Sequence, residues 1–350
     1  MNNQISYSAK ASEIRLSVVD QSPVRKGGTA RQALQESIKL AQAVEEIGFQ
    51  RYWVAEHHNL ANFAGTSPEI LIGQIAAATK RIRVGSGGVM LSHYSPFKVA
   101  ENFRMLETLF PGRIDVGLGR APGSDQLTAA VLSHPRQQID VRYYPEQVKD
   151  LIGFLNDDLD EEHPFAPVHA GPGEHTVPEV WLLGSRADSA SMAAEMGLPF
   201  SFAHFFGLAV EQGPLIADMY RSRFKPSKYL SEPKFSVSLQ VLCAPTMDDA
   251  NRIGSSRNVS RVRSVQGIRE GLLPIDEALN YQFRPDELAY VNQLKQNYID
   301  GDPDYVRGEI IQLAERYQTN DIGIVTICYS FEDRVNSYEL VAQAFGLNSK

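Results

Sequence analysis

Apolar residues fall in short runs along this chain, each closed by a polar or glycine-rich turn and then followed by a helical stripe. Ile14 to Val19 reads as a strand ending at Asp20-Gln21-Ser22-Pro23, and the helix after it sets Leu34, Ile38, Ala41 and Ile47 on one face before Gly48 stops it. Tyr52 to Ala55 is a second strand, leading into Glu56-His57-His58, a loop through Gly65 and a helix opened by Ser67-Pro68-Glu69. Ile82 to Leu91 is apolar on both faces once its glycines are allowed for, as a buried parallel strand is. Ser95-Pro96 then starts a helix that carries Val99, Phe103, Leu106 and Phe110 to the stop at Pro111-Gly112. Arg113 to Leu118 follows as a strand and ends in Gly119-Arg120-Ala121-Pro122-Gly123.

The alternation continues. Ser124 to Phe165 holds a long polar helix around Tyr144 to Leu155, and Val180 to Leu183 is a fifth strand with an alanine-rich helix running to Gly197. Pro199 to Ala203, Phe235 to Ala244 and Ile322 to Ile327 complete the strands, and a helix from Glu332 to Phe345 closes the chain. Eight strands alternating with helices predict an α/β protein with a (β/α)8 TIM barrel, a single domain over 1–350 with insertions. Between Asn251 and Gly301 the pattern breaks, with arginines at 252, 257, 261, 263 and 269. This stretch of about 251–301 reads as a solvated helical insertion rather than a phosphate-binding patch, with a lid that closes over substrate as the reading between them.

The net charge of -8 and pI near 5.6 leave no basic footprint for nucleic acid, so a small-molecule ligand is expected. Cys243 and Cys328 cannot build a disulfide framework, the start MNNQISYSAKASE lacks an apolar signal core, and no apolar run reaches membrane-spanning length. A cytoplasmic protein is expected on these grounds.

In parallel α/β proteins, ligands bind beyond the carboxyl ends of the strands, and the polar residues of this chain collect there. Neighbouring side chains at a strand end point to opposite faces, so His57 and His58 cannot both enter one mouth as metal ligands. No H-x-H or H-E-x-x-H spacing occurs, so no metal site is expected and a barrel metallohydrolase is the weaker alternative. Gly117 to Gly123 has the wrong spacing for a dinucleotide fingerprint, with Pro122 where the helix would start. Arg120 reads either as a guanidinium aimed at an anion across the mouth or as a surface ion pair. Gly184-Ser185-Arg186-Ala187-Asp188-Ser189 opens a helix with free amides, hydroxyls and an arginine, as a phosphate monoester requires; plain N-capping by Ser185 is the alternative. Gly85, Gly87 and Gly88 weaken a strand unless a flat ligand lies against the backbone or an unusual peptide is needed.

Together these segments resemble the bacterial luciferase-like flavin-dependent monooxygenases, from LSVVDQSP through VAEHHNLANFAGTSPEILIGQIAAAT and VGSGGVMLSHYSPFKVAENFRMLETLFPGRIDVGLGRAPG to LLGSRADSASMAAEMGLPFSFAHF and GDPDYVRGEIIQLAERY. The likeness is strongest to the single-component branch. It implies a histidine beside the flavin ring at His57, a cis non-proline peptide at Gly87-Gly88, and FMN phosphate contacts from Arg120, Gly184, Ser185, Arg186 and Ser189. The light-emitting subunits carry a glutamate and a serine where Ser185 and Arg186 stand, and a cysteine at Gly119, which points away from aldehyde-driven light emission.

The function implied is an FMN-dependent monooxygenase that uses reduced flavin and dioxygen to place one oxygen atom on a small organic substrate, with His57 as acid or base. With no nicotinamide motif in the chain, the reduced flavin is expected from a separate, transient NAD(P)H:flavin reductase. The resemblance also implies a homodimer packed through helices of the first two units. The alternatives are hydride transfer with the deazaflavin F420, and a flavin-binding protein without catalysis.

Overall fold

The computed structural model describes residues 10–121, 125–135, 139–206 and 210–347. Pro122 and Gly123, the end of the glycine-rich run, lie outside the described residues. The strands are β1 (Arg15–Asp20), β2 (Arg51–Val54), β3 (Arg83–Ser86), β4 (Val89–Met90), β5 (Ile114–Gly119), β6 (Glu179–Gly184), β7 (Phe200–Ala203), β8 (Phe235–Cys243), β9 (Tyr298–Gly301) and β10 (Asp321–Val325). All pair in parallel in the order β10-β1-β2-β3-β5-β6-β7-β8, and β8 pairs with β10 to close an eight-stranded barrel. The expected (β/α)8 barrel is the fold of this chain.

Strand periodicity sorts the side chains into two layers. Leu16, Val18, Tyr52, Val84, Val116 and Leu182 point outward into the large core shared with the helices. The residues between them face the axis, and at the lower end they are charged. Arg51 donates to Asp321 (2.8 Å), and Asp115 accepts from Trp53 Nε1 (2.9 Å) and Arg83 Nε (2.9 Å). Above this layer Trp53 meets Trp181 edge to face at 5.4 Å, and with Val19, Phe205, Leu272 and Val325 they form a second apolar cluster. The barrel is therefore filled to the height of the tryptophans, and open space begins above them.

Three expectations are corrected by the structure. The run Ile82 to Leu91 is not one strand: β3 and β4 are separated by Gly87 and Gly88. The β3 ladder to β5 reaches only Gly85↔Asp115, and Ser86 takes over from it: its hydroxyl donates to the Gly117 carbonyl (2.8 Å) and accepts from the Gly117 N–H (3.0 Å). Gly85 serves packing rather than a ligand, because a Cβ there would stand 2.6 Å from the Asp115 backbone oxygen.

The stretch after β8 is also not solvated on every side. Arg257, on the helix Met247–Val265, is 1% exposed, donates to Asp300 of β9 (3.0 Å) and lies 4.0 Å over the Tyr298 ring. β9 pairs with β8 outside the closed barrel, at Gln240↔Tyr298 through Cys243↔Gly301. The segment that follows the helix crosses the barrel mouth. Leu272 bonds to the backbone of Val24 and Lys26 (2.9 and 2.7 Å), and Arg269 bonds to the Asn59 carbonyl (2.8 Å) and Asp125 (2.7 Å). Among the described residues no helix is long and apolar enough to cross a membrane.

Candidate functional site

A cavity of about 550 Å³ opens at the carboxyl ends of the strands. Trp53 and Val19 line its base, Gly87, Gly88 and Met90 come from the β3–β4 junction, and Ser201 and Ser238 from β7 and β8. Arg120, Gly184, Ser185, Arg186 and Ser189 line it from the ends of β5 and β6, and Val141, Phe205 and Phe206 add apolar surface. Seven of the eight residues singled out in the sequence thus share one cavity, drawn from segments almost 100 residues apart in the chain.

The Gly87-Gly88 peptide bond is cis, as the resemblance implied. A Cβ on Gly88 would meet the Gly117 carbonyl at 2.6 Å and Leu183 Cδ1 at 2.7 Å, so only glycine lets these backbones approach. The strand that leaves this peptide is held by a residue the sequence reading passed over. Glu56, 1% exposed, accepts from the Met90 N–H (2.9 Å), from Tyr94 OH (2.7 Å) and pairs with His58 Nε2 (2.6 Å). In the E-H-H motif it is the glutamate, not a histidine, that fixes Met90 in the cavity wall.

The helix after β6 runs Ala187–Met196 with Arg186 at its cap position, and no side chain caps it. Capping by Ser185 is therefore not what this motif does. The Arg186 side chain has no ion pair or hydrogen bond among the described residues, whereas Arg120 lies 3.6 Å from Asp188 in the helix's first turn. Free amides, a helix N-terminus and two guanidinium groups converge on this end of the cavity, an arrangement that suits an anion.

His57 and His58 diverge. His58 joins Glu56, while the His57 ring stacks on Phe63 at 4.6 Å and its backbone N–H bonds to the Gly65 carbonyl (2.8 Å). His57 does not line the 550 Å³ cavity itself. Its Nδ1 is buried without a hydrogen-bond partner, and burial, helped by the charge of Arg261, lowers its pKa to about 4. The imidazole is neutral at pH 7. A second cavity of about 710 Å³, among His204, Tyr298, Tyr305 and Arg316, contains none of the residues singled out in the sequence. Among the described residues no group of three or more His, Cys, Asp or Glu side chains gathers for a metal.

Residues 14–319 match the family model of the luciferase-like monooxygenases. The chain belongs to that family. It is 44% identical over 333 residues to the protein YwcH of Bacillus subtilis, covering 95% of this chain and 99% of the relative. It is 37% identical to the N-acetyl-S-alkylcysteine monooxygenase of the same organism, over 95% of this chain and 98% of the other. The crystal structure of apo-MsnO8 superposes with a TM-score of 0.88 at 36% identity, covering 97% of this chain and all of that one (100%). More distant structures share the fold. They include an FMN complex of the oxygenating constituent of 3,6-diketocamphane monooxygenase (TM-score 0.68, 18% identity, 95% and 97% covered). An F420-dependent secondary alcohol dehydrogenase also shares it (TM-score 0.67, 16% identity, 95% and 99% covered).

Proposed function

We propose that this chain is a flavin-dependent monooxygenase that takes reduced FMN at the barrel mouth and uses dioxygen to oxygenate a small organic substrate. One observation carries the reading. A backbone shelf at Gly87-Gly88, bare of side chains over the Trp53 base, shares a cavity with the unpaired guanidinium of Arg186 and the helix terminus beside it. A flat ring with a phosphorylated tail needs both ends of such a cavity, and the residues present fit it.

When bound, reduced FMN supplies two electrons to dioxygen, so that one oxygen atom passes to substrate and the other leaves as water. The protein's part is placement, a dry pocket and proton handling. Arg120 and Arg186 hold the tail with Ser185 and Ser189, while Val141, Phe205 and Phe206 keep water from the ring. His57, neutral because burial holds its pKa near 4, accepts a proton rather than donating one at pH 7. Reduced flavin comes from a separate NAD(P)H:flavin reductase.

Anaerobic titration with reduced FMN tests the reading. Uptake is expected, with affinity lowered in Arg186→Ala, followed on admission of air by oxygen consumption that rises with substrate. No uptake of FMN overturns the proposal. Reduction of a ketone by reduced F420 without oxygen would assign hydride transfer instead.

A further inference from the structure

Trp53 and Trp181 fill the barrel axis from β2 and β6, whereas the small residues Ser201, Ala203, Ser238 and Gly323 face it from β7, β8 and β10. The cavity reaches this wall, which Ser201, Ala203 and Ser238 line. A Cβ on Gly323 would stand 2.5 Å from Ser238 Oγ, so the glycine keeps room for that hydroxyl.

The wall differs in chemistry from the rest of the cavity. Away from the anion end, three of the described side chains that line it carry an N–H or O–H group: Trp53, Ser201 and Ser238. Trp53 donates its Nε1–H to Asp115 (2.9 Å). Ser201 and Ser238 make no side-chain hydrogen bond among the described residues, and their hydroxyls open on the cavity. The Ser17 hydroxyl on β1, equally without a partner, is sealed in the barrel instead. In a largely apolar cavity, a few placed polar groups are what orient a bound molecule.

Around the closed sheet, β8 stands four strands from β3 in either direction, and β7 four from β2. The two hydroxyls therefore face the Gly87-Gly88 shelf and Trp53 across the barrel. A flat ring lying on the shelf turns its face to them, whereas the carbonyl groups of a flavin lie in the ring plane at its edge. The partner of the hydroxyls is then the molecule bound over that face. We propose that Ser201 and Ser238 donate hydrogen bonds to an uncharged carbonyl or amide oxygen of the substrate and so hold it over the open face of the ring. The described residues of this wall offer hydroxyls and no charged side chain, which suits a neutral acceptor and penalises an ion. The inference rests on the oxygenase reading for the ring and the reaction, but the hydroxyl site itself does not require flavin.

Acetophenone and α-methylstyrene, alike in shape and different in the carbonyl oxygen, are the probes, with benzoate as the charged analogue. Each is titrated calorimetrically into the full flavin-free chain and, without oxygen, into the chain loaded with reduced FMN. Since neither hydroxyl bonds to the described protein, Ser201→Ala and Ser238→Ala should keep the wild-type urea midpoint. Each should weaken acetophenone binding by about threefold to tenfold, the worth of one neutral hydrogen bond, and leave α-methylstyrene unchanged. Benzoate should bind the loaded chain no more tightly than acetophenone.

Acetophenone that does not bind, that binds the alanine variants as well as wild type, or that loses to benzoate overturns the inference. So does a fall in FMN affinity in those variants with the probes unaffected, which would assign the hydroxyls to the ring. FMN uptake is read separately by quenching of flavin fluorescence. Uptake with serine-independent probe binding sinks this inference alone, and serine-dependent probe binding without uptake sinks the oxygenase reading alone.

Discussion

The Arg120 guanidinium lies 3.6 Å from the Asp188 carboxylate, joining the turn after β5 to the first turn of the helix after β6. Both side chains reach solvent, Asp188 at 76% exposure, so the pair contributes little to stability. It does set a negative charge beside one of the two guanidinium groups proposed to hold the phosphate.

Asp188→Asn is therefore expected to tighten FMN binding by about twofold to fivefold, the return of a weak surface pair. The same change removes an acid from a helix N-terminus and should cost stability on the order of 0.5 kcal/mol. Fluorescence titration and urea denaturation read the two effects. Weaker FMN binding in Asp188→Asn would show that the aspartate helps the ligand rather than competing with it.

Gly88→Ala tests the backbone shelf. The new methyl group would stand 2.6 Å from the Gly117 carbonyl, an atom fixed in β5 that cannot swing aside. Overpacking of this kind costs about 1–3 kcal/mol, and FMN uptake should fall with it. Chemical denaturation and flavin titration on the same sample provide the check, and wild-type values for both would remove the shelf from the argument.

Burial of His57 makes stability depend on pH. Its folded pKa of about 4 lies below the unfolded value of 6.5, so the unfolded chain binds more protons between those limits. The stability from a neutral His57 is complete above pH 6.5 and declines as pH falls toward 4. His204, also lowered to about 4 by burial, acts in the same direction and window. The slope attributable to one such histidine is at most about 1.4 kcal/mol per pH unit. His57→Gln should flatten the curve between pH 4.5 and 6.5 relative to wild type, as measured by urea midpoints; an unchanged curve would mean that His57 is hydrated.

Arg257 and Asp300 tie the helix Met247–Val265 to β9. Arg257→Met leaves Asp300 without its partner in a buried place and should cost about 3–5 kcal/mol. Adding Asp300→Leu removes the orphaned charge and should restore part of that loss. Denaturation of the single and double variants decides; a double variant less stable than the single would mean that the pair is not what holds the helix.

Much of the site could be read along the chain, because the residues concerned sit at strand ends. Alternation of apolar and polar positions marks where a strand stops, and the barrel rule then places Gly87, Gly88, Arg120 and Ser185 at one mouth. Other features left no local trace. Ser86 replacing a ladder bond, Glu56 gathering three donors, and Arg51 finding Asp321 across 270 positions all depend on which distant segments close the barrel. The row of arginines after Asn251 read as a solvated surface, since a charge run looks the same whether its partners lie in water or in another element.

The sequence by itself determined the alternation of eight strands and their helices, hence the barrel and the end at which chemistry gathers, because side-chain periodicity is a local property. Only the tertiary structure decided which charges are paired. Ion pairing depends on distances between segments far apart in the chain, and only once the barrel closes do Arg257 and Arg269 find carboxylates on Asp300 and Asp125 while Arg186 is left at the cavity without one.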